Sequence, residues 1–171
     1  MSIIAFAGSN SSVSINHALV NYVANKLGKD IEVIRLTDYD TPVYSFDIEQ
    51  KEGIPAATQK LAEKLATADK LIISVAEHNG NLTAFFKNQL DWLSRHNRNF
   101  LADKKVMLLS TSPGKGAGAH ALAIAKSTLP FFGAEVVSGY SIASFNEVFK
   151  EGKLSDEVAK PLLSEVEKFL G

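Results

Sequence analysis

Cysteine is absent from the 171 residues, which excludes disulfides, thiolate metal sites and a nucleophilic thiol. Neither sign of charge is in excess: 18 Lys and Arg face 19 Asp and Glu, a net −1 at pH 7. That balance gives no electrostatic reason to meet nucleic acid or an anionic bilayer. No apolar run approaches the length of a membrane span, and no basic segment with a long apolar stretch opens the chain. A soluble, cytoplasmic protein is therefore expected. Glycine is missing between Gly8 and Gly28, so neither the dinucleotide fingerprint G-x-G-x-x-G nor the Walker pattern occurs there. A G-x-S-x-G elbow is also lacking, and no His or carboxylate has metal-ligand spacing with His78.

What the chain does have is concentrated between Ile3 and Leu27. Ile3 to Ala7 is a short apolar run of the kind found in strands buried on both faces. Gly8 and a turn rich in hydroxyls and amides follow, Ser9-Asn10-Ser11-Ser12-Val13-Ser14, with no Lys or Arg in it. Then comes an amphipathic helix carrying Ile15, Leu19, Val20, Val23 and Leu27 on one side. A buried strand feeding such a turn and a helix start collects free N–H groups, hydroxyls and the positive end of a helix dipole. That arrangement suits a phosphate monoester. The competing reading is a plain turn with Ser14 as helix cap.

Strand and helix signals then alternate to the end, without repeats or low-complexity linkers. Further strands are expected at Ile31–Leu36, Leu71–Ala76, Lys105–Thr111 and Glu135–Tyr140. Thr37 to Gln50 reads as irregular, and Pro55 opens a second helix. A third helix spans about Leu82 to Arg95, a fourth ends near Thr128, and a last one falls within Ser155–Leu170. Pro161 is awkward there: it either kinks that helix near Glu157 or marks its true start. The length suits one domain, residues 1–171. Five strands alternating with helices imply an α/β three-layer sandwich around a parallel sheet. The unusual loops follow strands one, three and four, so in the order 2-1-3-4-5 they meet at the switch point where ligands bind. A flavodoxin-like sheet holding a flavin is the natural expectation.

Three segments, GSNSSVSINHAL, EHNGNLTAFFKNQLDWLSR and STSPGKGAG, resemble in order and spacing the NAD(P)H-dependent FMN reductase family. The likeness covers roughly residues 2–140, and Glu77 to Arg95 is its most specific part. It implies an oxidoreductase, a flavoprotein in which hydride passes from NAD(P)H to bound FMN. A small acceptor, such as a flavin, quinone, azo compound or metal oxyanion, then takes the electrons. The first loop of the family commonly reads G-S-x-R-x-x-S-x-N and binds the FMN phosphate. This implicates Ser9, Ser11 at the arginine position, Ser14 and Asn16, with the amides of Ile15 and Asn16. The second loop, typically P-E-Y-N-G-S-x-P, lies along the flavin ring, which implicates Glu77, His78, Asn79 and Gly80. The third borders the ring and ribityl chain, implicating Ser112, Pro113, Gly114, Lys115 and Gly116.

The departures are as informative. Ser11 removes a charged partner of the phosphate, His78 stands for the usual tyrosine, and Ala76 and Thr83 stand for prolines. His78 contacts the ring, donates a proton or is merely exposed. Lys115 is either solvated or meets a phosphate of NAD(P)H. Asn79-Gly80 is also a ready turn sequence. On the third helix, Leu82, Phe85, Phe86, Leu90 and Leu93 form the inward stripe. Trp92 lies off it beside Asn88 and Arg95, with Asp91 placed for an intrahelical pair with Arg95. An exposed tryptophan there suggests an oligomer contact, and the resemblance implies a homodimer or homotetramer through this helix. A flavodoxin-type electron carrier and a cofactor-free flavodoxin-like binding protein are the competing readings. The near-neutral charge counts against the carrier. A signalling receiver would need acidic residues where Ala7-Gly8-Ser9 and Ala76-Glu77 stand.

Overall fold

A computed structural model describes residues 2–27 and 31–171 of the chain. Strand β1 (Ile3–Gly8) leads into α1 (Ile15–Leu27), and β2 (Ile31–Val33) follows. Helices α2 (Phe46–Glu52) and α3 (Ala56–Ala66) precede β3 (Lys70–Val75). A hairpin, β4 (Glu77–His78) with β5 (Asn81–Leu82), leads to α4 (Ala84–His96), β6 (Lys105–Thr111) and α5 (Ala119–Thr128). The chain closes with β7 (Glu135–Ile142), α6 (Phe145–Val148), the hairpin β8 (Phe149–Lys150) and β9 (Lys153–Leu154), and α7 (Asp156–Leu170).

The five long strands form one parallel sheet in the order β2-β1-β3-β6-β7, which is the expected 2-1-3-4-5. Alternation along each strand divides the core in two. Ile4, Phe6, Leu71, Ile73, Val106 and Leu108 pack with α3, α4 and α5 on one face. Ile3, Ala5, Ile72, Met107 and Leu109 pack with α1 and α7 on the other. Helices thus cover both faces of a flavodoxin-like three-layer sandwich. None of the described helices is long and apolar enough to cross a membrane.

Three local expectations need correction. The strand foreseen at Ile31–Leu36 stops at Val33: Ile34 still donates to the Ala5 carbonyl, but a 3₁₀ turn already begins at Leu36. The stretch 37–50 contains the start of α2, capped by Ser45, whose hydroxyl accepts from the Asp47 amide. Helix α7 starts at Asp156 and runs through Pro161 without restarting there. Its apolar face, with Leu162, Val166 and Phe169, buries against the sheet and holds the turn that lost a hydrogen bond.

The largest correction concerns Trp92. It is fully buried, not exposed. The segment from Tyr39 to Glu49 lies as a strap along the outer side of α4 and covers it. Trp92 Nε1 donates to the Pro42 carbonyl at 2.8 Å, and its ring meets Tyr44 edge-on at 5.1 Å. Asn88 accepts from the Tyr44 amide and donates to Pro42, while Gln89 donates to the Tyr39 carbonyl. The expected Asp91–Arg95 pair is replaced by two others. Lys87 takes Asp91 at 2.6 Å, and Arg95 reaches Glu49 on the strap at 2.9 Å. Tyr44 donates to the same Glu49 carboxylate, which raises the phenol's pKa.

Truncating a buried tryptophan removes transfer energy and leaves a cavity. Trp92→Ala is therefore expected to cost about 3 kcal/mol or more in urea unfolding. A cost near zero, with a change only in self-association, would return the residue to the surface.

Candidate functional site

The carboxyl ends of β1, β3 and β6 lie side by side, so the three loops after them rise from one edge of the sheet. Between them is an open cleft of about 220 Å³. Loop one supplies Ser9, Ser11, Val13, Ser14, Ile15 and Asn16 to its wall. Ala76, Glu77 and His78 come from the second, and Thr111, Ser112 and Pro113 from the third. Of the expected residues, Asn79, Gly80, Gly114, Lys115 and Gly116 stand outside this wall and are exposed. Asn79 instead borders a second hollow, which it shares with His78 and Lys87.

Loop one shows the turn and helix cap expected of its serines and leaves donors uncommitted. Ser14 caps α1, its hydroxyl oxygen accepting from the His17 amide at 3.2 Å. Ser9 Oγ accepts from Ser11 N, and Ser11 Oγ accepts from Val13 N, both at 3.3 Å. In each case the oxygen accepts, so the hydroxyl proton is left to donate outward. The amides of Ile15 and Asn16 belong to the first turn of α1 and have no partner among the described residues. This set of uncommitted donors fits an anion at the helix start. The wall carries no Lys or Arg among the described residues; its one carboxylate, Glu77, turns to α5, and the cup formed by loop one holds neutral groups only. Burial, and then the positive charge of Arg35, hold the His17 pKa below that of a free imidazole. The first turn of α1 therefore carries a neutral ring at pH 7.

The side chain of Asn16 is committed inside the fold. Its side chain is 3% exposed and tied into the sheet. The amide oxygen accepts from Ser74 Oγ at 2.8 Å and from Thr111 N at 3.1 Å, while Nδ2 donates to the Thr111 carbonyl. One side chain thus links α1 to β3 and β6, and only its backbone N–H is available to a phosphate. Ser110 makes a parallel tie, its hydroxyl lying 2.8 Å from the Val75 carbonyl and 3.1 Å from that of Gly118. Ser74, Ser110 and Thr111 were not expected to matter. The signal was there: they are the hydroxyl-bearing positions in the runs LIISVA and KVMLLST. A buried hydroxyl in an apolar strand needs a partner.

Loop two is the β4–β5 hairpin. Asn79 (φ 53°) and Gly80 (φ 71°) form its two-residue turn, with the positive φ pair that joins such short strands. Glu77 lies in the cleft wall, but its carboxylate turns to α5: Oε2 accepts from the Ala121 amide at 3.0 Å. The helix cap position is Gly118, which has no side chain to do this, so Glu77 serves from a distance. Exposed His120 lies 3.6 Å from the other oxygen. Loop three is braced from beyond β7. Ser144 and Phe145 amides donate to the Gly114 and Ser112 carbonyls, and Thr111 Oγ1 donates to Ile142.

A doubly covered parallel sheet with a cleft over its switch point defines a flavodoxin-like protein. Residues 1–147 match the family model described as NADPH-dependent FMN reductase, and the chain belongs to that family. It is an NAD(P)H-dependent oxidoreductase whose family cofactor is FMN. Among curated relatives, a quinone reductase of Escherichia coli is 31% identical over 139 residues, covering 81% of this chain and 74% of its own. An NAD(P)H-dependent FMN reductase of Pseudomonas aeruginosa is 26% identical, with 95% and 89% covered. Among solved structures, the flavoenzyme NAD(P)H:(acceptor) oxidoreductase FerB of Paracoccus denitrificans superposes with a TM-score of 0.80. It is 25% identical, over 98% of this chain and 94% of that one.

Removing the Asn16 side chain would leave Ser74 and Thr111 with buried, unpaired polar groups. Asn16→Ala should therefore lower unfolding free energy by about 2–3 kcal/mol, read from the shift in urea midpoint.

Proposed function

We propose that this chain is a reductase whose cleft holds FMN with the phosphate in the α1 cup and the ring beside the β4–β5 hairpin. The observation that carries this is the convergence of loops one, two and three on one cleft with unpartnered donors at one end. Ser9, Ser11 and Ser14 donate hydroxyl protons to the phosphate, and the Ile15 and Asn16 amides add two more donors. His78 and the main chain of Asn79-Gly80 border the ring. A bare glycine at 80 lets backbone approach a flat face closely. Ser112 and Pro113 line the opposite lip, with Gly114 and Gly116 contributing main chain and Lys115 free to meet a phosphate of the nicotinamide cofactor.

FMN held there would supply the redox chemistry, hydride uptake from NAD(P)H and electron delivery to a small acceptor. The side chains named here bind and orient; none serves as a nucleophile. The quinone reductase relative supports a quinone or similarly flat acceptor at the open face of the cleft. A homodimer or homotetramer across α4 remains part of the proposal, on altered grounds. With Trp92 buried, the apolar groups available are Val43 and Phe46, 80% and 60% exposed on the strap that covers α4.

Titration with FMN, followed by NADPH oxidation with a quinone present, tests the reading directly. Binding and turnover are expected; neither occurring would end it, and binding without turnover would point to an electron carrier. Ser14→Ala should weaken FMN about tenfold, given the usual worth of a hydrogen bond to a charged group. Gly80→Val should weaken it through the ring while leaving the far-UV spectrum unchanged.

A further inference from the structure

We propose that Thr83 is a positioning residue which, with Glu77, clamps the β4–β5 hairpin as a fixed wall of the cleft. The proposal rests on the flavin reading above but goes beyond it. The hairpin has two residues in each strand, and His78, Asn79, Gly80 and Asn81 are all exposed. A ribbon this short does not hold its own posture in water. Its ends must do so.

Both ends are anchored to other parts of the cleft. Thr83 is 2% exposed; its hydroxyl oxygen accepts from the Phe86 amide at 3.1 Å and its proton goes to the Gly8 carbonyl at 2.9 Å. The first bond caps α4, and the second fastens that cap to the last residue of β1. Contact there is tight enough that a Cβ on Gly8 would lie 2.7 Å from the Phe86 ring. At the other end, Glu77 is fastened to the first turn of α5 through Ala121. Gly8 is the residue from which loop one departs, so the Thr83–Gly8 bond sets the spacing between phosphate cup and ring wall. A threonine hydroxyl can accept and donate at once; valine of the same shape can do neither.

The test uses Thr83→Val and Thr83→Ser in the full chain, with hydrogen exchange and two flavin probes, FMN and riboflavin. In flavin-free protein, Thr83→Val should speed exchange of the amides at 77–82 while β6 and α7 keep wild-type protection. Affinity for FMN and for riboflavin should fall by the same factor, about tenfold for a lost buried hydrogen bond. Thr83→Ser should restore both readouts. Ser14→Ala supplies the contrast, since a phosphate contact affects FMN alone. Unchanged exchange at 77–82 in Thr83→Val would overturn the proposal, as would a loss confined to FMN. Should the wild-type protein bind neither flavin, the cofactor reading fails while the exchange result alone still decides whether the clamp exists.

Discussion

The structure depends on the three bonds made by the Asn16 side chain inside the sheet. Parallel strands bring their carboxyl ends together, but the loops that leave those ends have no ladder to hold them. Asn16 replaces that ladder, reaching from the first turn of α1 to Ser74 on β3 and Thr111 on β6. An amide can accept twice and donate twice, and here it uses both functions in a site nearly closed to water. Low dielectric strengthens such a network when it is satisfied and penalises it when it is broken. The α1 amides are therefore held at a fixed place over the sheet edge, which is what a neutral anion site needs.

The order of the sheet and the meeting of three loops were legible because both follow from coarse patterns. Short β-rich runs alternate with helical periodicity, and the connection rules leave few topologies. The local chemistry of the loops was legible only in part. Ser14 as cap and Asn79-Gly80 as a turn were the plainer readings of those residues; both are short-range effects, and both are present. Asn16 and Glu77 were read as ligand contacts from the family resemblance of their loops. Their side chains bond residues 95 and 44 positions away, at Thr111 and Ala121. Nothing local in the sequence records such a partner.

Trp92 shows the same limit from the opposite direction. Its position off the apolar stripe of α4 was correctly placed, and exposure was the reasonable consequence for a helix packed on one side only. The strap from Tyr39 to Glu49 supplies a second packing partner. It does so with carbonyls of Tyr39 and Pro42 and the Glu49 carboxylate, which explains why that face of α4 is polar but not free. A stretch without periodicity reads as a loop, yet its backbone groups are the complement of the helix's amides and indole. Polar residues on an outward face thus mark a covering segment as readily as solvent.

If the cup holds the FMN phosphate as proposed, these hidden ties are functional as well as structural. A phosphate held by arginine tolerates some looseness, because Coulomb attraction falls off slowly with distance. Hydroxyls and amides act only over hydrogen-bond range and within a narrow angle. With no cation among the described residues of the wall, the proposed phosphate binding would draw on several short donors aimed correctly at the same time. Asn16, Ser110 and Glu77 fasten the loops to one another behind the cleft, and Thr83 sets the first against the second. The replacement of a loop arginine by Ser11 and the dense polar bracing beneath the loops are, on this argument, two sides of one design: less attraction, and more preorganisation.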